Sequence, residues 1–129
     1  MRVFKTKWFA QFARRQRIAD SSLCEAVRRA QRGLVDADLG GGVIKQRVAR
    51  PGQGRSGGYR VLVAYRRDAR AVFLYGFAKS ERDNVSDDEL ETARDVAKGW
   101  LEASVGQLAR ALEEGLIQEV GYDDGKEET

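Results

Sequence analysis

VIKQRVARPGQGRSGGYRVLVAY, residues 43–65, sets two β-branched runs around a glycine-rich turn and carries Lys45, Arg47, Arg50, Arg55 and Arg60 without a single acid. Alternation with period two puts Lys45 and Arg47 on one face of their strand. In the second run it groups Arg60 with Leu62 and Ala64, opposite Tyr59, Val61 and Val63. Burying each of these cations unpaired would cost several kcal/mol, so they are expected to face water or a polyanion. Arg50 and Arg55 stand at the ends of the loop. Gly52, Gly54, Gly57 and Gly58 serve the turn, and they also leave backbone N–H groups free to approach a phosphate.

Working outward, three strands are expected at about 43–49, 58–67 and 71–78. The joins RPGQGRSGG and RRDAR are short and rich in turn formers, so the three should pair as an antiparallel meander. Upstream, residues 2–6 alternate weakly as a short strand, and helical spacing of Trp8, Phe9 and Phe12 opens a helix over 8–19. A second helix is expected over 22–32, with Ser22 and Glu25 as a capping box and Gly33 as its stop. LGGG at 39–42 breaks the chain before the meander. Downstream, Ser86 and Glu89 make another capping box. The stripe Leu90, Ala93, Ala97, Leu101, Leu108 and Leu112 extends one long helix to about 112. GYDDGKEET, 121–129, reads as a frayed tail. The expected fold is α+β: a small antiparallel sheet, an N-terminal helical hairpin and a long C-terminal helix, with all helices on one sheet face and the other face open to a ligand.

The length of 129 residues fits a single domain, 1–129, whose C-terminal helix and tail from about 86 are acidic. Residues 1–82 hold 19 of the 23 Lys and Arg but 6 of the 20 Asp and Glu, a net of +13; residues 83–129 carry a net of −10. Such an asymmetry points to a polyanion-binding body. No apolar run reaches membrane-spanning length, and MRVFKTKWFAQFARRQR lacks the pattern of a signal peptide. Cys24 is the single cysteine, which suits a reducing cytoplasm, and the chain has no histidine, the usual general base and metal ligand.

YGFAKSERDN, 75–84, places Lys79, Arg82 and Asn84 where the chain leaves the third meander strand. Adjacent strands can bring these cations beside those of the hairpin. Together with GGGVIKQRVARPGQGRSGGYRVLVAY and VFLYGFAKSERDNVSDDEL, this segment resembles the RelE/HigB toxins of bacterial type II toxin–antitoxin modules, and the HigB-type branch in particular. The resemblance spans nearly the whole chain. It implies a ribosome-dependent mRNA endonuclease that needs no metal or cofactor and is neutralised by an antitoxin, commonly a helix-turn-helix DNA-binding protein.

Carried over by position, Lys45, Arg47 and Arg60 match the family's basic central strands, and Lys79 and Arg82 fall in its basic segment after the last strand; Lys45, Arg47, Arg60 and Lys79 are the catalytic candidates. Arg50, Arg55, Arg82 and Asn84 are the further RNA-binding candidates. Some RelE-type members have a tyrosine shortly after that segment, where this chain has Asn84 and Val85, so base stacking is unassigned, with Tyr59 and Tyr75 as candidates that also read as core-edge aromatics. RNA supplies its own nucleophile in the 2′-hydroxyl. Arginine stays charged and can only clamp and stabilise the phosphorane. Lysine can give up a proton when crowded by cations, which makes Lys45 or Lys79 the candidate for proton transfer. A ParE-like gyrase poison, a non-catalytic RNA-binding protein and an inactive toxin are the alternatives on the same fold.

Overall fold

The computed structural model describes residues 1–50, 52 and 54–123, with residues 54–56 described by backbone alone. In chain order the elements are β1 (Arg2–Thr6), α1 (Lys7–Gln16), α2 (Asp20–Gln31), β2 (Ala37–Gly40), β3 (Val43–Arg50), β4 (Gly54–Arg66), β5 (Arg70–Ala78), α3 (Asp87–Glu102), α4 (Val105–Glu113) and β6 (Ile117–Val120). The six strands form one sheet in the order β2-β3-β4-β5-β1-β6. The fold is α+β as expected, but the sheet is mixed rather than antiparallel, because β1 runs parallel to β5. The α1–α2 segment and the meander separate the two in sequence, and only a long connection can return a strand parallel.

The sheet is covered on both faces, which corrects the expectation of one open face. On one side α1 and α2 bring Phe9, Phe12, Leu23 and Val27 onto Val3, Ile44, Val61, Val63 and Phe73. On the other, α3 and α4 bring Ala93, Ala97, Leu101, Leu108 and Ala111 onto Phe4, Val43, Leu62, Ala64 and Val72. The alternation read from β4 therefore holds, with Leu62 and Ala64 on one side and Tyr59, Val61 and Val63 on the other. What differs is that both sides are apolar over half the strand length.

The expected long C-terminal helix is two helices. Ala103 takes an extended conformation (φ −60°, ψ 135°), and Ser104 starts α4 with its own capping box to Gln107. The last turn of α3 carries no basic residue. Instead Arg66 donates to the carbonyl of Leu101 at 3.1 Å, and Arg70 donates to those of Trp100 and Ala103 at 2.7 and 2.8 Å. Cations from the β4–β5 turn thus satisfy the helix-end carbonyls. The Ser86–Glu89 capping box is present. The Ser22–Glu25 box is not: α2 begins at Asp20 after an N-cap Ala19 that makes no side-chain cap, and Glu25 pairs with Arg29 one turn on.

Between the expected helix and the expected tail lies a strand, since β6 pairs antiparallel with β1 and Val120 is buried; of the tail, residues 124–129 lie outside the described residues. No helix among the described residues is long and apolar enough to cross a membrane.

One tight contact and two register shifts set the geometry of β3–β5. A Cβ at Gly58 would lie 2.2 Å from the Val48 carbonyl oxygen, beside a register shift between Val48 and Arg50. A second shift, between Leu62 and Val63, leaves Leu74 as an extra residue on β5. Leu74 and Tyr75 consequently both pack toward the α3 side.

Gly58→Ala should destabilise the protein by about 1–3 kcal/mol, because the clash is with backbone that cannot turn aside. Ser104→Ala should cost about 1 kcal/mol through the lost cap. Chemical denaturation of both variants checks the two values, and a Gly58→Ala protein of wild-type stability would contradict the close approach of β3 and β4.

Candidate functional site

Strand register brings the cations of the hairpin together. Arg47 stands opposite Arg60, and Arg60 opposite Phe77, so one cross-strand row reads Arg47–Arg60–Phe77. The next row toward α3 reads Lys45–Leu62–Tyr75. Both rows lie on the face that α3 covers further along the strands. Arg47 is open, its side chain 51% exposed. Arg60 is not: at 7% exposure it departs from the expectation that it faces water. Its guanidinium donates to the Tyr59 carbonyl at 3.4 Å. Burial lowers its pKa, the neighbouring charge of Arg47 lowers it further, and Asp36 acts in the opposite sense.

Asp36 is the carboxylate of this cluster. It accepts from the Arg47 backbone N–H at 2.6 Å and lies 3.9 Å from the Arg47 Nε. Arg29 of α2, 6% exposed, donates to Asp36 at 3.3 Å, to both Glu25 oxygens at 3.0 Å and to the Arg47 carbonyl. Gln46, 1% exposed, accepts from the Asp36 N–H and donates to the Ala26 and Leu34 carbonyls. The backbone under Arg47 is therefore held from below by a polar network in which Arg29 and Gln46 are buried.

Where β5 ends, Lys79 is exposed and its N–H donates to the Gly58 carbonyl at 3.0 Å, fixing the strand exit beside the hairpin. Arg82 folds back over Phe77, 5.3 Å from the ring centroid. It makes a two-pronged pair with Glu89, at 2.5 and 3.1 Å, and donates to the Tyr75 hydroxyl at 3.4 Å. Glu89 also closes the capping box of α3. Arg82 first, and then the Ser86 N–H, hold the Glu89 carboxyl down at about 2. The Asn84 side chain accepts from the Val85 N–H at 2.9 Å and so serves the loop.

The remaining candidates part company with this cluster. Arg50 lies over the Tyr59 ring at 5.8 Å, and that ring belongs to the core on the α1–α2 side of the sheet. The side chain of Arg55 lies outside the described residues. Tyr59, 2% exposed, has no face for a base, whereas Tyr75 is half-buried. Asp36, Arg29 and Glu89 were missed as neighbours of the cations. Their signal was no stronger than that of any acid or base on an amphipathic segment, because all three act across elements.

A carboxyl held low contributes stability that is present above its ordinary value of 4.5 and is lost as pH falls toward 2. Glu89→Gln should therefore melt a few degrees below the wild type at pH 7, with the difference closing between pH 4.5 and 2. Thermal melts across that range check it; a gap that stays constant down to pH 2 would mean that the Arg82–Glu89 pair adds nothing to stability.

A family model of the RelE toxin of the RelE/RelB toxin–antitoxin system matches residues 1–120. No curated protein matches the chain. With all of the strands and helices inside the matched span, the chain belongs to the RelE toxin family, the toxin side of a toxin–antitoxin module that has a cognate antitoxin as its partner.

Proposed function

We propose that this toxin is a metal-independent endoribonuclease that cleaves mRNA on the ribosome, in the cytoplasm, and so inhibits translation. The observation that carries this is the pair Arg47 and Arg60, set directly opposite each other in a β-ladder. Like charges in that position destabilise a sheet. Asp36 lies 3.9 Å from the Arg47 Nε. A phosphate bound between the two guanidinium groups would carry negative charge to both, and arginine forks match two phosphate oxygens.

In the proposed reaction the 2′-hydroxyl attacks the adjacent phosphate and the 5′-oxygen leaves. Arg47 and Arg60 hold the phosphate and stabilise charge on the phosphorane. Burial of Arg60 helps, since a fixed cation in a poorly solvated site needs no reorganisation as charge develops. Lys45, one row away, or Lys79, at the β5 exit, moves the proton. Arg82 contributes less than the other cations, because Glu89 already engages its guanidinium on two sides. The ribosome supplies the in-line geometry of the RNA, and naked RNA is cut poorly. The antitoxin is of the small helix-turn-helix type and masks the cationic rows or blocks entry to the ribosome.

Single-turnover cleavage of mRNA on programmed ribosomes, with ribosome binding measured separately, tests these roles. Arg60→Lys keeps the charge and loses the planar fork, so cleavage should fall about 100-fold or more while binding changes little. Lys79→Ala should also abolish cleavage. If both variants cut at the wild-type rate, the cationic rows are not the active site. Growth arrest with DNA breaks and no new RNA ends would instead indicate a gyrase poison.

A further inference from the structure

Strand β2 supports β3 for only part of its length. Its first residue, Ala37, pairs with Lys45, so the ladder ends two residues short of Arg47. Continued in register, it would set Val35 opposite Arg47. Val35 packs instead against the core on the α1–α2 side. Two side chains take the place of that residue's backbone. The Asp36 carboxylate accepts from the Arg47 N–H at 2.6 Å, and the Arg29 guanidinium donates to the Arg47 carbonyl. A neighbouring strand would offer Arg47 the same pair, one acceptor and one donor.

The N–H and C=O of a strand residue point to the same side, and at Arg47 that side faces away from β4. Arg47 and Arg60 are therefore a non-hydrogen-bonded pair, the kind that brings side chains closer in an antiparallel ladder. The pairs further along agree. The Tyr65 N–H donates to the Gly42 carbonyl at 2.8 Å, and alternation from there through Val43↔Ala64 makes Arg47↔Arg60 non-hydrogen-bonded. The backbone of Arg47 is thus held by Arg29 and Asp36, not by β4. These two are braced in turn. Arg29 is buried and donates to both Glu25 oxygens at 3.0 Å and to Asp36 at 3.3 Å. Gln46, also buried, accepts from the Asp36 N–H at 2.8 Å. Arg29 belongs to α2, which packs on the sheet face opposite the cationic rows.

We propose that Arg29 and Asp36 are positioning residues of the phosphate site: as a pair they replace a strand partner at Arg47 and fix the backbone from which its guanidinium meets the phosphate opposite Arg60. Neither touches RNA. A small displacement of a group that clamps the reacting phosphate costs the cleavage step much more than it costs binding. The acceptor oxygen of Asp36, rather than its charge, carries the role, because the bond to the Arg47 N–H sets the path of the strand. The inference rests on the proposal that the cationic rows hold the scissile phosphate, and it adds what holds Arg47 there.

The test joins two measurements on Asp36→Ala and Asp36→Asn: hydrogen exchange of the Arg47 amide in the free toxin, and single-turnover cleavage of mRNA over a series of ribosome concentrations. Asparagine keeps an oxygen that can accept from the Arg47 N–H, and alanine does not. In Asp36→Ala the Arg47 amide should exchange about tenfold or more faster. Its cleavage rate at saturation should fall about tenfold to 100-fold, with the half-saturating ribosome concentration unchanged. Asp36→Asn should keep slow exchange and most of the rate. Arg29→Lys, which retains the buried charge and loses the guanidinium fork, is the second variant and should lower the rate in the same way. Thermal melts establish that each variant is folded. Folded Asp36→Ala and Arg29→Lys proteins that cut at the wild-type rate overturn the inference. So does an equal loss in Asp36→Ala and Asp36→Asn, which would mean that the charge acts, or a loss confined to ribosome binding. Arg47→Ala separates this from the underlying reading. If it too cuts like the wild type, the cationic rows are not the active site and both fall; if it is inactive while the Asp36 and Arg29 variants cut normally, only the inference falls.

Discussion

Two arginines face each other across the central hairpin, and much of the surrounding structure manages that juxtaposition. Arg47 and Arg60 are register partners in β3 and β4, a placement that electrostatics alone disfavours. Beneath them Asp36, between α2 and β2, accepts from the Arg47 backbone, while Arg29 of α2 donates to its carboxylate and Gln46 of β3 accepts from its N–H. To one side Phe77 continues the row, and Gly58 lets β3 approach β4 closely enough to keep the register. Arg29 and Gln46 are buried and hydrogen-bonded, so the network rigidifies the strands instead of merely tolerating the cations. A buried, hydrogen-bonded arginine is also a better electrostatic tool than a mobile one.

The two helical layers divide the sheet unequally. On the α1–α2 side apolar contact runs from Val3 to Tyr59, and the core is closed. On the α3–α4 side the apolar half of each strand is covered, while the half that carries Lys45, Arg47 and Arg60 extends past the start of α3. Helix α3 cannot continue over that half: its first turn holds Asp87, Asp88 and Glu89, which belong at a positive helix end. Glu89 draws Arg82 out of the cation cluster and into the helix cap. The positive charge left beside the hairpin is thereby concentrated in the strand residues.

Alternation along the hairpin, turn chemistry and the cap at Ser86 are local properties, and the chain's own residues specify them. Strands β1, β3, β4 and β5, the helical pair α1–α2, the start of α3 and the grouping of Arg60 with Leu62 were legible for that reason. So was the family, because its pattern of cations rides on those elements. Tertiary structure decided the rest. Strands β2 and β6 are four residues each, too short to announce themselves, and exist through pairing with β3 and β1. The break at Ala103 requires Arg66 and Arg70 from a distant turn to satisfy the end of α3. Arg82 looked equivalent to Lys79, and it is Glu89, seven residues on, that separates them. Each of these outcomes depends on which charge or carbonyl meets which partner in space, and sequence spacing carries no term for that.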